Sequence, residues 1–542
     1  MAQHYDVIVI GGGHNGLTNA AYLAKAGKKV VVLERRHVLG GAAVTEEIIP
    51  GFLFSECSYV VSLLRPEIIR DLDLPRHGLE ILPLDGTFSP MSNGDYLWRM
   101  NDHGRTVREI RRHSRVDAEA YEEFSKMMTP MCRFVKPILS MIPPDPTTLR
   151  PKDLRQLHFL IQRFRDLSSD ERYTLIQLMT MSAADFLDQW FETNVLKATM
   201  SASGIIGTFL GIRSPGTAYV LLHHYMGEID GAFRSWGFSR GGTGAISNAI
   251  AAAAREAGVE IRTKASVAKI IVKDGRACGV ALQSGEELAA NVVSSSVDPH
   301  LTFEKFLDAS ELPGDFLQDV KRYKFRGSSG KLNLALDGLP EFKCLPGEGA
   351  HLRGALSISP SVEYMERAYD DAKYGNFSRR PYIDMVIPSL TDPSVAPPGK
   401  HVMSCFVQYA PYKLVQGTWD DLKREAFGDN VIDTISEHIP NIKKLIVGRQ
   451  VLTPLDLERE FGLTQGNIFQ GELSLEQLFF LRPVPGWAYY KTPIENLYMC
   501  GSATHPGGGI MAAPGRIAST VILKEWKNGS SSKRSSRAQA GN

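Results

Sequence analysis

The chain has 542 residues, 43% hydrophobic and 22% charged, with 61 basic residues against 60 acidic ones. This is the balance of a globular chain long enough for two large domains or several smaller ones, and it excludes a disordered chain, a collagen or a coiled coil. A net charge of +1 offers no basic excess for holding phosphates, so nucleic acid is not an expected partner. The six cysteines, Cys57, Cys132, Cys278, Cys344, Cys405 and Cys500, are scattered without a CxxC pair. That excludes a zinc cluster or a dithiol redox motif and fits a reducing compartment.

The first element follows the N-terminus almost at once. Val7-Ile8-Val9-Ile10 is fully apolar and β-branched, the pattern of a central parallel strand. No leader sequence precedes it, which points to the cytoplasm. Gly11-Gly12-Gly13-His14-Asn15-Gly16 then reads as G-x-G-x-x-G. Gly11 suits the tight turn, Gly13 the approach to a pyrophosphate, and Gly16 the packing of helix on strand. Leu17, Ala20, Ala21 and Ala24 share one helical face, and Gly27 stops that helix. Val30 to Leu33 is a second buried strand. Glu34 ends it, 18 residues after Gly16, where a carboxylate can take the ribose hydroxyls of an adenosine. Strand, loop, helix, strand and terminal acid in one register predict a dinucleotide site. A second glycine pair, Gly40-Gly41, follows the acid and permits another close backbone approach.

Residues 105–200 carry helical patterns, broken at Met141-Ile-Pro-Pro-Asp-Pro146. Ala198 to Ile212 is apolar or small for 15 residues, short of the ~20 that cross a bilayer. It predicts a buried helix, or else the apolar wall of a cavity, and the chain shows no transmembrane segment. The glycine cluster 240–244 follows no buried strand with an acid beyond, so it is not a second nucleotide fingerprint. Ala245 to Glu256 predicts a helix and Val259 to Thr263 a short strand. Ala265–Val272, Cys278–Leu282 and Leu288–Ser294 predict a three-stranded meander with turns at Asp274-Gly275 and Ser284-Gly285. Alternating strands are expected within 326–337 and at Val402 to Tyr409. Asn496 to Gly501 reads as a strand running into Gly501-Ser-Ala-Thr-His505-Pro-Gly-Gly-Gly509-Ile510-Met511, and Ala512, Ala513, Ile517 and Ala518 begin a helix. Lys527 to Asn542 lacks acidic residues and predicts a disordered tail.

Gly11 to Gly41 resembles the FAD fingerprint of the phytoene desaturase and amine oxidase group of flavoproteins, and Glu34 to Glu47 is similar to its phytoene dehydrogenase-like members. Amine oxidases usually follow the glycine pair with Arg, where this chain has Ala42. Gly501 to Met511 resembles the motif with which this group closes on the flavin. The resemblance spans the chain to about residue 525. It implies an α/β fold with a Rossmann-like FAD/NAD(P)-binding domain, assembled discontinuously from 1–75, 236–300 and 485–526. An α+β substrate or cap domain would be formed by 76–235 and 301–484. It further implies FAD as cofactor, bound by Gly11, Gly13, His14, Asn15, Gly16, Glu34, Arg35, Gly40, Gly41, Ala42, Val267, Gly501, Ser502, Gly509, Ile510 and Met511. Backbone near Val267 would touch the adenine, and the closing helix would turn its positive end to the flavin.

The implied activity is an FAD-dependent oxidoreductase that moves hydride between a small hydrophobic, polyunsaturated substrate and flavin N5. Two alternatives stand beside it: a non-catalytic FAD-binding or regulatory protein of the same fold, used as GDP-dissociation inhibitors use it, and an amine oxidase. His505, His223-His224, Trp236 and Arg240 are candidates near the substrate, each read more readily as structural, and no catalytic residue is singled out. Peripheral membrane contact and oligomeric state stay open. The mitochondrial matrix, expected for eukaryotic members, is the alternative compartment.

Overall fold

The computed structural model describes residues 4–229, 232–233 and 235–539. Two seven-stranded sheets organise them. The first is centred on His4–Ile10, which pairs in parallel with Val30–Leu33 on one side and Glu287–Ser295 on the other. Glu260–Arg262 extends the sheet beyond Val30–Leu33. Beyond Glu287–Ser295, two strands share one edge: Arg276–Leu282 runs antiparallel along its first half, and Leu497–Met499 parallel along its second. Val267–Lys273 completes the expected meander.

The apolar strands are continuous because both of their faces are buried. Val7, Val9, Val30 and Val32 pack into one core with Leu17, Ala20, Ile250 and Ile517 from helices His14–Lys25, Gly244–Glu256 and Ala513–Gln539. Ile8, Ile10, Val31 and Leu33 point the other way, into a core with Val280, Leu288 and Phe316. This two-sided burial is why no polar alternation appears in either strand.

The second sheet runs in the order Ile446–Leu452, Ser329–Leu336, His401–Gln408, Tyr382–Val386, Ala355–Ile358, Gly86–Pro90, Tyr96–Met100. One face carries Leu332, Leu334, Met385, Cys405 and Val407 against Phe427, Val431 and Ile435 of helix Asp421–Ser436. Successive side chains alternate between faces, so Lys331, Asp384 and Phe406 belong to the opposite face. A block of helices between 103 and 225 lies over the rest, interrupted as expected between Ser140 and Pro151.

Two elements differ from the sequence reading. The stretch 198–212 is not one helix: Asn194–Ser201 is helical, Ala202–Gly204 is a single 3-10 turn, and irregular chain follows. Gly207 has φ +82°, outside the helical region, and a Cβ there would lie 2.4 Å from the Phe469 ring, so the position takes only glycine. The closing helix continues to Gln539, past Lys527, where a disordered tail was expected. Residues 540–542 of that tail lie outside the described residues. Among the described residues no helix is long and apolar enough to cross a membrane.

Candidate functional site

A cavity of about 590 Å³ opens at the C-terminal ends of the parallel strands, within the ~300–1,000 Å³ usual for ligand sites. Its wall is built from several parts of the chain. Gly11, Gly13, His14 and Asn15 come from the first turn, and Glu34 and Arg35 from the end of the second strand. Gly40, Gly41 and Ala42 come from the next loop, Val267 from the meander, and Ser502, Gly509 and Ile510 from the closing motif. Gly16, Gly501 and Met511 do not line it. A Cβ on Gly16 would strike the Gly11 carbonyl at 2.2 Å, which is the helix-on-strand contact read from the motif. A Cβ on Gly501 would meet the Ser296 carbonyl at 2.4 Å, and Met511 is buried with its carbonyl accepting the Arg65 N–H.

At one end of this cavity a helix N-terminus and a buried carboxylate stand together. Helix His14–Lys25 starts at Gly13 with no side-chain cap, so its first-turn N–H groups face the cavity. Glu34 is buried and its two oxygens accept from the Gly12 and Arg36 N–H groups, each at 2.8 Å. That holds the carboxylate in place while leaving lone pairs toward the cavity. Gly40 sits at φ +128°, with room for no side chain: a Cβ would lie 2.2 Å from the Ala43 carbonyl. Arg35 crosses to the other sheet's surroundings and donates to the Arg459 and Glu460 carbonyls.

Several polar atoms around this cavity are buried without a protein partner: His14 Nε2, Asn15 Oδ1, Ser62 Oγ and Gln470 Oε1. Asn15 Nδ2 donates to Ser502 Oγ at 3.0 Å, tying the first motif to the last. Buried polar groups are normally satisfied, so these orphans mark where a polar ligand belongs. Uncapped helix amides, a fixed carboxylate, glycine approaches and orphaned amides and hydroxyls together fit the phosphate, ribose and ring edges of FAD.

The opposite end is apolar. Tyr59, Val60, Leu63, Ile206, Trp236, Phe406, Phe469 and Ile510 face it. Trp236 and His224 therefore do reach the cavity. Arg240 does not; it is exposed and paired with Glu80. His223 is fully buried beside His224 and off the wall. His505 is also off the wall, its Nε2 2.7 Å from the Ile138 carbonyl, and burial pushes its imidazole down to about 4. The glycine cluster 240–244 packs on the strand Thr45–Ile49: a Cβ on Gly242 would lie 2.3 Å from Thr45 Oγ1.

Sequence reading missed the segment 458–470, which supplies Phe461, Gly462, Leu463, Thr464, Ile468 and Gln470 to the wall. Its anchor is Arg482, fully buried, whose guanidinium donates to the carbonyls of Phe469, Gly471, Glu472, Gln477 and Ser502 at 2.9–3.2 Å. One side chain thus fastens the 469–477 loop to the closing motif.

The flavin containing amine oxidoreductase family matches residues 16–513. The rat protein called pyridine nucleotide-disulfide oxidoreductase domain-containing protein 2 is 42% identical, over 97% of this chain and 95% of its own. A component of the limonene dehydrogenase of Castellaniella defragrans is 29% identical over 96% and 94%. An oxidoreductase from Methanosarcina mazei has the same fold, with a TM-score of 0.59 at 16% identity over 96% and 100% of the two chains. The word disulfide in the rat protein's name has no counterpart here: all six cysteines are free, and Cys57 is the single one on the cavity wall among the described residues.

Proposed function

This chain belongs to the flavin containing amine oxidoreductase family and is an FAD-dependent oxidoreductase; on that premise we propose that its substrate is a small, apolar, polyunsaturated molecule held in the cavity's aromatic end. The observation that carries this is the wall itself, where Val60, Leu63, Ile206, Trp236, Phe406 and Phe469 converge. The similarity to a limonene dehydrogenase component supports the same substrate class.

Bound FAD supplies a two-electron acceptor for hydride at its flavin N5. The chain's residues do the rest. We assign the dinucleotide to Gly11, Gly13, His14, Asn15, Glu34, Arg35, Gly40, Gly41, Ala42, Val267, Ser502, Gly509 and Ile510, with Gly16, Gly501 and Met511 shaping the loops behind them. The FAD domain is then 1–75, 236–300 and 485–526, and 76–235 with 301–484 form the substrate domain. The apolar wall orients the substrate and excludes water, which protects a hydride in transit.

The test is spectroscopic. The purified protein should show the two flavin bands and release FAD on heating. Anaerobic addition of an unsaturated hydrocarbon such as limonene should bleach those bands. Bleaching by amines and not by hydrocarbons would overturn the substrate class in favour of an amine oxidase. A protein that neither carries nor takes up FAD would overturn the cofactor assignment and bring back the non-catalytic reading.

A further inference from the structure

Six of the twelve exposed large apolar side chains among the described residues fall between 149 and 176: Leu149, Leu154, Phe159, Ile161, Tyr173 and Ile176. Standing singly, such side chains need no explanation. Gathered in one stretch, they mark a contact surface.

Helix Pro151–Asp166 shows how they are presented. Asp153, Leu157, Leu160 and Phe164 recur at i, i+4, i+7 and i+11 and form its inner face. Asp153 is buried and accepts the Thr148 hydroxyl at 3.0 Å, and the Phe164 ring meets Phe134 edge-on with centroids 6.4 Å apart. Leu154, His158, Ile161 and Arg165 repeat that spacing one position on, roughly 100° round the helix. All four are exposed, Ile161 at 56% and Leu154 at 45%, and Leu149 stands on the loop just before the helix at 85%. One flank of the helix thus holds the protein, and the other carries a leucine and an isoleucine in solvent.

The charge of the stretch is one-sided. Between 149 and 165 every exposed charged side chain is a cation: Arg150, Lys152, Arg155 and Arg165. Half-buried Arg163 adds a fifth, and the single acid, Asp153, is the buried one. The next acid, Asp166, is the helix's last residue. In a chain whose net charge is only +1, this is a local excess. Three kinds of occupant can be weighed against it. A second copy of the chain, meeting this face with its own across a two-fold axis, would bring like charges together. A nucleic acid would take the cations and leave Leu149, Leu154 and Ile161 in water. An anionic lipid surface takes both: the apolar side chains enter the acyl boundary while the arginines reach the headgroup phosphates on their long stems.

We propose that the loop at Leu149 and the Leu154–His158–Ile161–Arg165 flank of helix Pro151–Asp166 dock the protein on an anionic lipid bilayer, with the helix lying along the surface. The helix rests on the membrane and does not cross it. The inference is independent of the substrate reading.

The experiment sediments the FAD-loaded, full-length protein with vesicles of phosphatidylcholine, alone or with roughly one part in three of phosphatidylglycerol. The mixed vesicles should bind at least roughly tenfold more tightly at low salt, and added salt should shrink the difference. Arg155→Gln with Arg165→Gln removes two cations, each worth roughly fivefold on such a surface, and should weaken binding to the mixed vesicles at least roughly tenfold. Leu154→Ser with Ile161→Ser should also weaken it while leaving its salt dependence as it was. Both pairs are exposed, so flavin content and Tm should match the wild type; where one pair does not fold, the other decides. Equal binding to the two kinds of vesicle, binding to neither, or binding untouched by both pairs overturns the proposal. Light scattering without vesicles supplies the last arm: a dimer that Leu154→Ser with Ile161→Ser splits would assign the face to a second copy and overturn the lipid reading.

Discussion

Arg482 offers the sharpest test of how the cavity is held. Its guanidinium donates to five backbone carbonyls, those of Phe469, Gly471, Glu472, Gln477 and Ser502, with no exposure to solvent. In Arg482→Lys the positive charge stays, but an ammonium has three donors at one point where the guanidinium has five in a plane. At least two of the five carbonyls lose their donor. The Glu472 carbonyl also receives Gln477 Nε2–H at 3.2 Å, so it can tolerate the loss. One to two buried carbonyls therefore go unsatisfied, at about 1–3 kcal/mol each, or about 3 kcal/mol in all. For a chain of 542 residues that lowers Tm by roughly 3 °C. Because Phe469 and Ser502 both belong to the cavity wall, FAD should dissociate faster as well, read by the recovery of free-flavin fluorescence after dilution. A variant with wild-type Tm and wild-type FAD release would refute the claim that Arg482 fastens the loop to the closing motif.

Gly13 and Gly40 should separate ligand contact from folding. A Cβ on Gly13 meets no protein atom closer than 3.8 Å and its φ is −71°, so Gly13→Ala should keep its Tm in the FAD-free protein yet lose FAD affinity by at least roughly tenfold; equal affinity would mean that no ligand atom approaches there. Gly40→Ala, with its Cβ 2.2 Å from the Ala43 carbonyl and φ +128°, should instead fail to yield folded protein, measured as soluble yield and circular dichroism. Glu34→Ala strips the acceptor from the Gly12 and Arg36 N–H groups, and its FAD dissociation constant should rise at least roughly tenfold, with an unchanged constant counting against a ribose contact. His505, held near 4 by burial, refuses a proton that the unfolded chain accepts below about 6.5. The unfolded state then binds more protons, so this group's contribution to stability, at most about 3 kcal/mol, is full above pH ~6.5 and is lost as pH falls toward 4. His505→Gln should flatten the fall of Tm over that window, and an identical slope in both proteins would show that another group titrates.

What could be read from the sequence was whatever is encoded locally. The strand–glycine loop–helix–strand–acid run from Val7 to Glu34 lies within one stretch of chain, and each step has its own signature: β-branched continuity, glycines, a helical face and a terminal carboxylate. The closing motif is similar, a strand followed by glycines and then a helix rich in small residues. The meander was legible because Asp274-Gly275 and Ser284-Gly285 punctuate it. The rest of the wall depends on contacts remote in sequence. Ala198 to Ile212 has the composition of a helix, but the helix ends at Ser201, and Gly207, at φ +82°, packs against the Phe469 ring, more than 250 residues away in sequence.

The charged residues on the covered face of the second sheet show the deeper reason. Lys331, Asp384 and Arg99 each sit in a strand where alternation makes a polar residue look solvent-facing. Alternation distinguishes the two faces of a sheet but does not say that both are covered. Here the Leu332–Cys405–Val407 face is closed by helix Asp421–Ser436, and the other by the Asn194–Ser201 helix and the loop around Tyr59. Three charges that would cost nothing on an open sheet become buried groups that need compensation. For Asp384 and Lys331 it includes the Tyr59–Asp384 hydrogen bond and the packing of Lys331 over the Tyr59 ring. Such a cluster is recognised only when sheet register places residues 99, 331 and 384 on one covered face.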